Sequence, residues 1–289
     1  MKLTILARTN TWHIKDLLRA AKKKKIETNV IDIKNLWNLD EVKDQVSDIV
    51  LVRSLTLSAV RSRRAVFFKL IKEGRNIINP VHAIQPFIHS KVYQQWMAKE
   101  HIKCPTIPTY DFNSLDEVKT ALKKGVLELP MIQKPDIGIK GIGVELIKDI
   151  GDIKEDGLKK TLFQPFIENS GDYRIWVLDG AVLGVTQRIG KKGSHVNNVA
   201  QGGKMLKVDD QNIIEGLSNL SLDIAKYFDL NMCGIDIMFD KKDQKFKFLE
   251  VNSVPGWKGF QHATKIDVAG KIIDFVIKKG KEGAAKNKS

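Results

Sequence analysis

Gly234-Ile235-Asp236-Ile237-Met238-Phe239 and Phe246-Lys247-Phe248-Leu249-Glu250-Val251-Asn252, joined by the turn-like Asp240 to Lys245, decide how the chain is read. The flanks favour strand and the joint favours a turn, so the stretch predicts a β-hairpin. Side chains alternate along a strand, which puts Glu250 and Asn252 on one face. If Asp240 pairs with Phe246, Asp236 lies directly opposite Glu250 on that face, with Cβ atoms ~5 Å apart. Two carboxylates and an amide oxygen then converge. Hard oxygens of that kind suit Mg²⁺, which takes the rest of its shell from water and substrate phosphates. The competing reading is the polar outer face of an edge hairpin. Ile235, Ile237 and Leu249 argue for an interior strand, where unpaired carboxylates are costly.

Upstream, Pro130-Met131-Ile132-Gln133-Lys134-Pro135 ends an apolar strand on a lysine. The glycine-rich turn Gly138-Ile139-Lys140-Gly141-Ile142-Gly143 follows. A lysine there can reach a phosphate as a point charge, and the turn can lay backbone N–H groups over phosphates. The spacing matches neither the Walker loop nor the dinucleotide fingerprint, and a plain hairpin turn is the alternative. Asp172 to Leu178 reads as a strand, Asp179-Gly180 as a turn and Ala181 to Arg188 as the return strand. Arg174 and Arg188 could clamp a phosphoryl group or be ordinary surface arginines. A strict two-residue turn would put them on opposite faces, so a shared site requires a bulge. Ser194 to Asn198 is a polar stretch in which His195 reads as a surface histidine rather than a base.

Further out, Leu3 to Ala7, Val30 to Ile33, Asp48 to Val52 and Ile77-Ile78 read as strands. One amphipathic helix carries Leu17, Leu18 and Ala21, and another carries Val66, Phe67, Leu70 and Ile71. That order predicts a small parallel α/β domain. Ser90 caps a linker helix with Val92, Trp96 and Met97 as its apolar stripe. The tail from Lys278 to Ser289, rich in lysine and without apolar periodicity, is expected to be mobile.

Composition narrows the class. Hydrophobic residues are 43% and charged residues 28% of the 289, which excludes disorder or a fibre for the bulk of the chain. No apolar run reaches a membrane span, and Met1 to Asn10 does not read as a signal peptide. Two cysteines are too few for a disulfide framework, so a soluble, cytoplasmic protein is expected. The net charge of +14 attracts polyanions, or else reflects a lysine-coated surface. The basic runs lack the interleaved aromatics of a single-strand platform, so nucleic acid is disfavoured as a partner. No nucleophile elbow or helical metal-histidine pair is present.

Taken together, these residues resemble the ATP-grasp superfamily and, within it, the RimK-like carboxylate–amine (α-L-glutamate) ligases. Leu249-Glu250-Val251-Asn252-Ser253-Val254-Pro255-Gly256 is similar to that family's Leu-Glu-Val-Asn-Ser-x-Pro-Gly. Gly234-Ile235-Asp236 precedes it and Thr264 to Ala269 follows. Gly138 to Val144 looks like the phosphate-covering loop and Phe163-Gln164-Pro165-Phe166-Ile167 like the adenine hinge. The similarity runs from about Ser90 to Lys279.

The resemblance implies a mixed α/β (α+β) ATP-grasp fold with an N-terminal Rossmann-like pre-ATP-grasp domain. Expected divisions are 1–88, a central subdomain at 89–163, a C-terminal subdomain with the metal site at 164–279, and a basic flexible tail at 280–289. Carried over residue by residue, Lys91, Lys134 and Gly141 would meet ATP phosphates. Gln164, Pro165, Phe166 and Ile167 would meet adenine, and Asp172 the nucleotide. Arg174, Arg188 and Asn198 would steady phosphoryl and acyl-phosphate groups. Asp236, Glu250 and Asn252 would hold Mg²⁺, with Mn²⁺ as the alternative ion. Two family arginines are missing around Val196-Asn197-Asn198 and Gln201-Gly202-Gly203, so the resemblance carries over the ligase chemistry but does not by itself assign the substrate. The implied activity is ATP-dependent amide formation between an amino acid and an acidic small-molecule, peptide or carrier acceptor, with no membrane partner and homo-oligomerisation left open. The rival is a nucleic-acid-binding protein on an inactive scaffold. An oxidoreductase reading of the first domain lacks its glycine fingerprint.

Overall fold

A computed structural model describes the chain apart from residues 8–10, 33–34, 36–45, 54–56, 80–85, 139–140, 156–157, 192–196, 198–201 and 287–289. The N-terminal part is a parallel sheet of β1 (Lys2–Leu6), β2 (Glu27–Ile31), β3 (Ile49–Val52) and β4 (Asn76–Ile78), in the order β2-β1-β3-β4. Helices α1 (Trp12–Lys23) and α2 (Leu57–Lys72) accompany it. Parallel strands are buried on both faces, and the alternation shows it. Leu6, Val50 and Val52 pack with Val66, Phe67 and Leu70 on one side. Leu3, Ile5, Ile49 and Leu51 face the other way and share a core with Trp176, Met232, Trp257 and Phe260 from the far end of the chain. The first domain is therefore fused to the last part of the chain through one apolar core. Leu18 and Ile71, expected on buried helix faces, are exposed: each sits one residue, about 100°, from the buried stripe.

The second sheet is antiparallel and three-stranded, β6 (Glu145–Ile147)-β5 (Met131–Pro135)-β7 (Thr161–Pro165), with α4 (Leu115–Lys123) beside it. The strand β7 runs past the division expected at 163, so this sheet closes at Pro165. The third sheet has five strands: β10 (Lys204–Lys207), β9 (Ala181–Ile189), β8 (Asp172–Leu178), β11 (Met232–Asp240) and β12 (Lys245–Asn252). One of its faces packs Ile175, Val177, Cys233, Ile235 and Ile237 under α5 (Gln211–Tyr227).

The strand β12 is a sheet edge, and its free backbone groups need partners. Helix α3 (Lys91–Met97) supplies them. The expected stripe of Val92, Trp96 and Met97 is not what it buries. Trp96 is exposed, while Lys91, Gln94 and Gln95 are buried. Gln94 accepts from the Val251 N–H at 2.8 Å and donates to the Val251 carbonyl at 3.0 Å, as a neighbouring strand would. Gln95 donates to the carbonyls of Phe248 and Leu249, both at 2.8 Å. The Ser90 cap forms as expected, accepting from the Tyr93 N–H at 3.1 Å.

The chain ends in α6 (Lys258–Thr264) and α7 (Val268–Lys286). The segment expected as a tail from 280 thus begins inside a helix. Lys278 pairs with Asp179 at 2.5 Å, and a Cβ at Gly280 would meet Met1 Sδ and Ile49 Cδ1 at 2.4 and 2.9 Å. Residues 287–289 lie outside the described residues.

Candidate active site

The predicted hairpin forms, but not in the expected register throughout. Near the turn Asp240 pairs with Lys245, not Phe246. A bulge after Ile237 pairs with Phe248 shifts the ladder by one, and Asp236 then faces Glu250, with Gly234 opposite Asn252. Without the extra residue Leu249, Glu250 would point to the opposite face from Asp236. Gln95 holds that bulge through the Leu249 carbonyl. A second bulge settles the arginine problem. The turn at Asp179-Gly180 is strictly two residues, but the β8–β9 register shifts between Trp176 and Val177. Arg174 therefore sits opposite Thr186 and Arg188 opposite Asp172, on the same face.

Across four strands, Glu250, Asp236, Arg174 and Thr186 form one row on the large sheet. Asp172 and Arg188 form the next. Asp236 is almost fully buried, and both of its oxygens accept from arginines. Arg174 donates Nε to Oδ1 and Nη2 to Oδ2 (2.7 Å), while Arg188 reaches Oδ2 at 2.8 Å. Arg188 Nε also donates to Asp172 Oδ1. Burial opposes the Arg188 charge, but Asp172 and Asp236 outweigh it and raise its pKa. Burial raises the pKa of Asp172, against the pull of Arg188. Two glycines make room. A Cβ at Gly234 would lie 2.9 Å from Pro255 Cβ and 3.0 Å from Arg174 Nη1; one at Gly171, whose φ is +122°, would lie 2.3 Å from the Arg188 carbonyl oxygen.

The small sheet faces this row. On β5 and β7 the residues Met131 and Phe163 join their own core, so Lys134 and Gln164 take the other face. Among the described residues the Lys134 ammonium makes no hydrogen bond or ion pair. Burial pulls its pKa down to about 8, with Glu250 pulling the other way and Lys91 adding to the fall. Lys91 begins α3, and its ammonium donates to the Asp136 carbonyl at 3.0 Å and lies 3.7 Å from Glu250 Oε2. Asp136 Oδ1 accepts from Ser90 Oγ and from the Val92 N–H, both at 3.0 Å, and so fixes the helix start that carries Lys91. Burial works against the Glu250 charge, but Lys91, Lys134, Arg174 and the Asn252 amide prevail and hold its pKa at about 2. Asn252 Nδ2 donates to Glu250 Oε1 at 3.1 Å.

The structure thus brings Lys91, Lys134, Asp172, Arg174, Arg188, Asp236, Glu250 and Asn252 together around two facing sheets. Gly141 has a φ of +70° in the turn after β5, beside Ile142, which is exposed. At the expected hinge Gln164 is buried and donates to Thr109 Oγ1 at 2.7 Å, Ile167 is buried, and Pro165 and Phe166 are half-buried. Asn198 and His195 lie outside the described residues. Sequence reasoning missed Asp136, Gln94, Gln95 and Asn79. Asn79, buried after β4, accepts from the Met232 N–H at 2.9 Å and donates to the Met232 and Ser253 carbonyls. None belongs to a spacing pattern; an Asn after Ile77-Ile78 and two adjacent glutamines in a short helix were the available signals.

Glu250, Asn252 and Asp236 offer hard oxygens, and Glu250 is ionised at any ordinary pH. Among the described residues both Asp236 oxygens accept from arginines, so Glu250 and Asn252 offer the freer oxygens to a cation. The donor set fits a magnesium ion. The unpaired Lys134 ammonium fits a phosphate.

Solved ATP-grasp structures share this architecture. The chain is similar to the ATP-grasp ligase PsnB complexed with its minimal precursor, with a TM-score of 0.71 over 95% of this chain and 98% of that one, at 16% identity. It is similar also to the macrocyclase MdnC bound with precursor peptide MdnA from Microcystis aeruginosa, with a TM-score of 0.71 over 96% and 99%, at 15% identity. The fold is therefore ATP-grasp, with an N-terminal parallel sheet and two antiparallel sheets. Residues 91–276 match the RimK-like ATP-grasp domain, and the chain belongs to that family. A probable alpha-L-glutamate ligase of Coxiella burnetii is 33% identical over 197 residues, covering 65% of this chain and 62% of the relative. One of Halorhodospira halophila is 36% identical over 162 residues, covering 53% and 52%. The matched part thus spans less than two thirds of these relatives. Among the described residues no helix is long and apolar enough to cross a membrane.

Proposed function

We propose that the chain is an ATP-dependent carboxylate–amine ligase that adds glutamate or a similar amino acid to an acidic acceptor. ATP phosphorylates a substrate carboxylate, an amine attacks the acyl phosphate, and an amide, ADP and phosphate result. The observation that carries this reading is the meeting of Lys91 and Lys134 from the small sheet's side with Glu250 and Asn252 on the large sheet. Two cations and hard oxygens at one place suit a nucleotide triphosphate and its metal. Lys134 takes a phosphate oxygen as a point charge. Lys91 is held by the Asp136 carbonyl so that it bridges Glu250 and the turn that begins there. Arg174 and Arg188, already aligned by Asp236 and Asp172, need no reorganisation to stabilise developing negative charge. Glu250, Asn252 and Asp236 would hold Mg²⁺, which supplies charge neutralisation at the phosphates. No acid–base dyad is required when positioning carries the reaction.

The net charge of +14 supports an anionic acceptor, by raising its local concentration. The relatives' names support glutamate as the amino acid, and the peptide-bound PsnB and MdnC structures support a peptide as one form of acceptor. The intact Lys134, Glu250 and Asn252 weigh against an inactive nucleic-acid-binding scaffold. A screen of amino acids and acidic acceptors for ATP- and Mg²⁺-dependent phosphate release tests the reading. Release that requires both an amino acid and an acceptor is expected. Release that is indifferent to both would contradict it.

A further inference from the structure

Arg53 follows β3, and its backbone N–H continues the parallel ladder by donating to the Leu6 carbonyl at 2.8 Å. It therefore stands at the carboxyl end of a central parallel strand, the edge where open α/β sheets receive ligands. Its guanidinium carbon lies 4.6 Å from the centre of the Trp257 ring. Nη2 donates to the Pro255 carbonyl at 2.9 Å. Nε and Nη1 are buried and, among the described residues, have no hydrogen-bond partner.

Among the described residues Arg53 has no counter-ion. Asp16 is committed elsewhere: its oxygens accept from Trp257 Nε1 at 2.9 Å and from Arg19 Nε at 2.8 Å. His13 accepts the Trp257 N–H at Nε2, 3.2 Å, and is neutral, its pKa lowered to about 4 by burial and then by Arg53 itself. Burial alone pulls the Arg53 pKa down to about 9, with no carboxylate restoring it. A buried cation without an opposite charge is expensive, and unsatisfied buried donors call for an explanation such as a role in the site or a bound ion. The loop that supplies Pro255 starts directly after Asn252, and it holds a second buried, unpartnered polar atom, Ser253 Oγ.

We propose that Arg53 binds a carboxylate of the amino-acid substrate, at the junction of the N-terminal sheet and the loop Ser253–Gly256. The inference rests on the ligase reading above and deepens it by naming which group reads the amino acid's acid function. A carboxylate oxygen can accept from the Nη1 donors left on the guanidinium, and Trp257 fixes the plane in which they lie. Arg53 holds Pro255, three residues past Asn252 in the chain, so the loop Ser253–Gly256 links the place of the carboxylate to the strand that carries Glu250 and Asn252.

Binding can be read without turnover. The full chain is titrated with L-glutamate, and with glutamine and isoglutamine, each of which lacks one carboxylate, in the presence of Mg²⁺ and ADP. L-Glutamate is expected to bind, and at least one of the two amides to bind tenfold or more weaker. Arg53→Gln is expected to weaken L-glutamate tenfold or more and to abolish the preference for acid over amide, while the Kd for ATP·Mg²⁺ stays within threefold. Arg53→Lys keeps the charge but not the planar donors, and is expected to fall between. Equal L-glutamate affinity in wild type and Arg53→Lys and Arg53→Gln overturns the proposal, as does a wild type that binds ATP·Mg²⁺ but none of the three amino acids. Parallel loss of acid and amide binding shows that Arg53 only pins Trp257 and Pro255, and overturns it as well. Failure of the ligase reading is seen separately, as absent phosphate release in a chain that still binds L-glutamate through Arg53.

Discussion

Around Asp236 every buried charge has an opposite charge beside it, whereas at Lys134 and Arg53 no described carboxylate lies within ion-pair distance. Both regions are desolvated, so the contrast is one of design rather than depth. In the paired set of Arg174, Arg188, Asp172 and Asp236 each charge already has an opposite charge beside it, and the set holds two guanidiniums in fixed directions. The unpaired cations are complete only with an anion from outside. Opposite responses to mutation follow: truncating the paired set leaves an orphan charge, while truncating an unpaired cation removes one.

The largest effect is expected at the paired set. Arg188→Met leaves Asp172 buried without its cation and should lower unfolding stability by about 3–5 kcal/mol, the usual consequence of breaking a buried pair. Adding Asp172→Asn should restore part of the loss. Denaturant midpoints check this, and a loss below about 1 kcal/mol in the single variant would show that the pairing does not hold the sheet. Lys134→Met should do the reverse. Affinity for ATP·Mg²⁺ should fall roughly 10- to 100-fold, the size of a charge-assisted contact of about 1.5–3 kcal/mol, with stability unchanged or higher. Calorimetric titration and thermal unfolding of the same variant decide it; lost stability with retained affinity would put Lys134 in the wrong class.

The smallest effect concerns pH at the same junction as Arg53. His13 is neutral in the fold down to about pH 4, but in the unfolded chain it takes a proton near its ordinary 6.5. Its contribution is therefore whole above pH 6.5 and is lost progressively as pH falls toward 4. The thermal midpoint of the wild type should drop across that window more steeply than that of His13→Gln. Identical slopes would mean that His13 is not the titrating group.

Much of this contrast was legible in the sequence, but not the parts that decide it. Alternation along 234–239 and 246–252 places Glu250, Asn252 and Asp236 on one face, the strand end before a glycine-rich turn marks Lys134, and the family resemblance adds Lys91. The reason Asp236 faces Glu250 was not legible. The expected pairing of Asp240 with Phe246 is replaced by Lys245, and a bulge at Leu249 restores the match. A bulge is a packing decision, made here with Gln95 from a distant helix, and no local pattern encodes it. Similarly, Arg174 and Arg188 could be named from the sequence, but their shared face depends on the shift beside Val177. The stripe assigned to Trp96 failed because α3 meets a strand edge, where glutamine amides serve better than apolar side chains. Arg53 escaped notice entirely, since nothing around it in sequence indicates burial.

The account's central claim is that the face bearing Glu250, opposite Lys91 and Lys134, is where ATP and Mg²⁺ are used. The most direct test is phosphate release from ATP by wild type and Glu250→Gln across a Mg²⁺ titration, with the most active amino-acid and acceptor pair. Glutamine keeps the shape and the Asn252 hydrogen bond but not the charge. The account expects the variant to remain cooperatively folded and to lose turnover about 100-fold at every Mg²⁺ concentration, on the order of 3 kcal/mol of transition-state stabilisation. Turnover within twofold of wild type at saturating Mg²⁺ would contradict it.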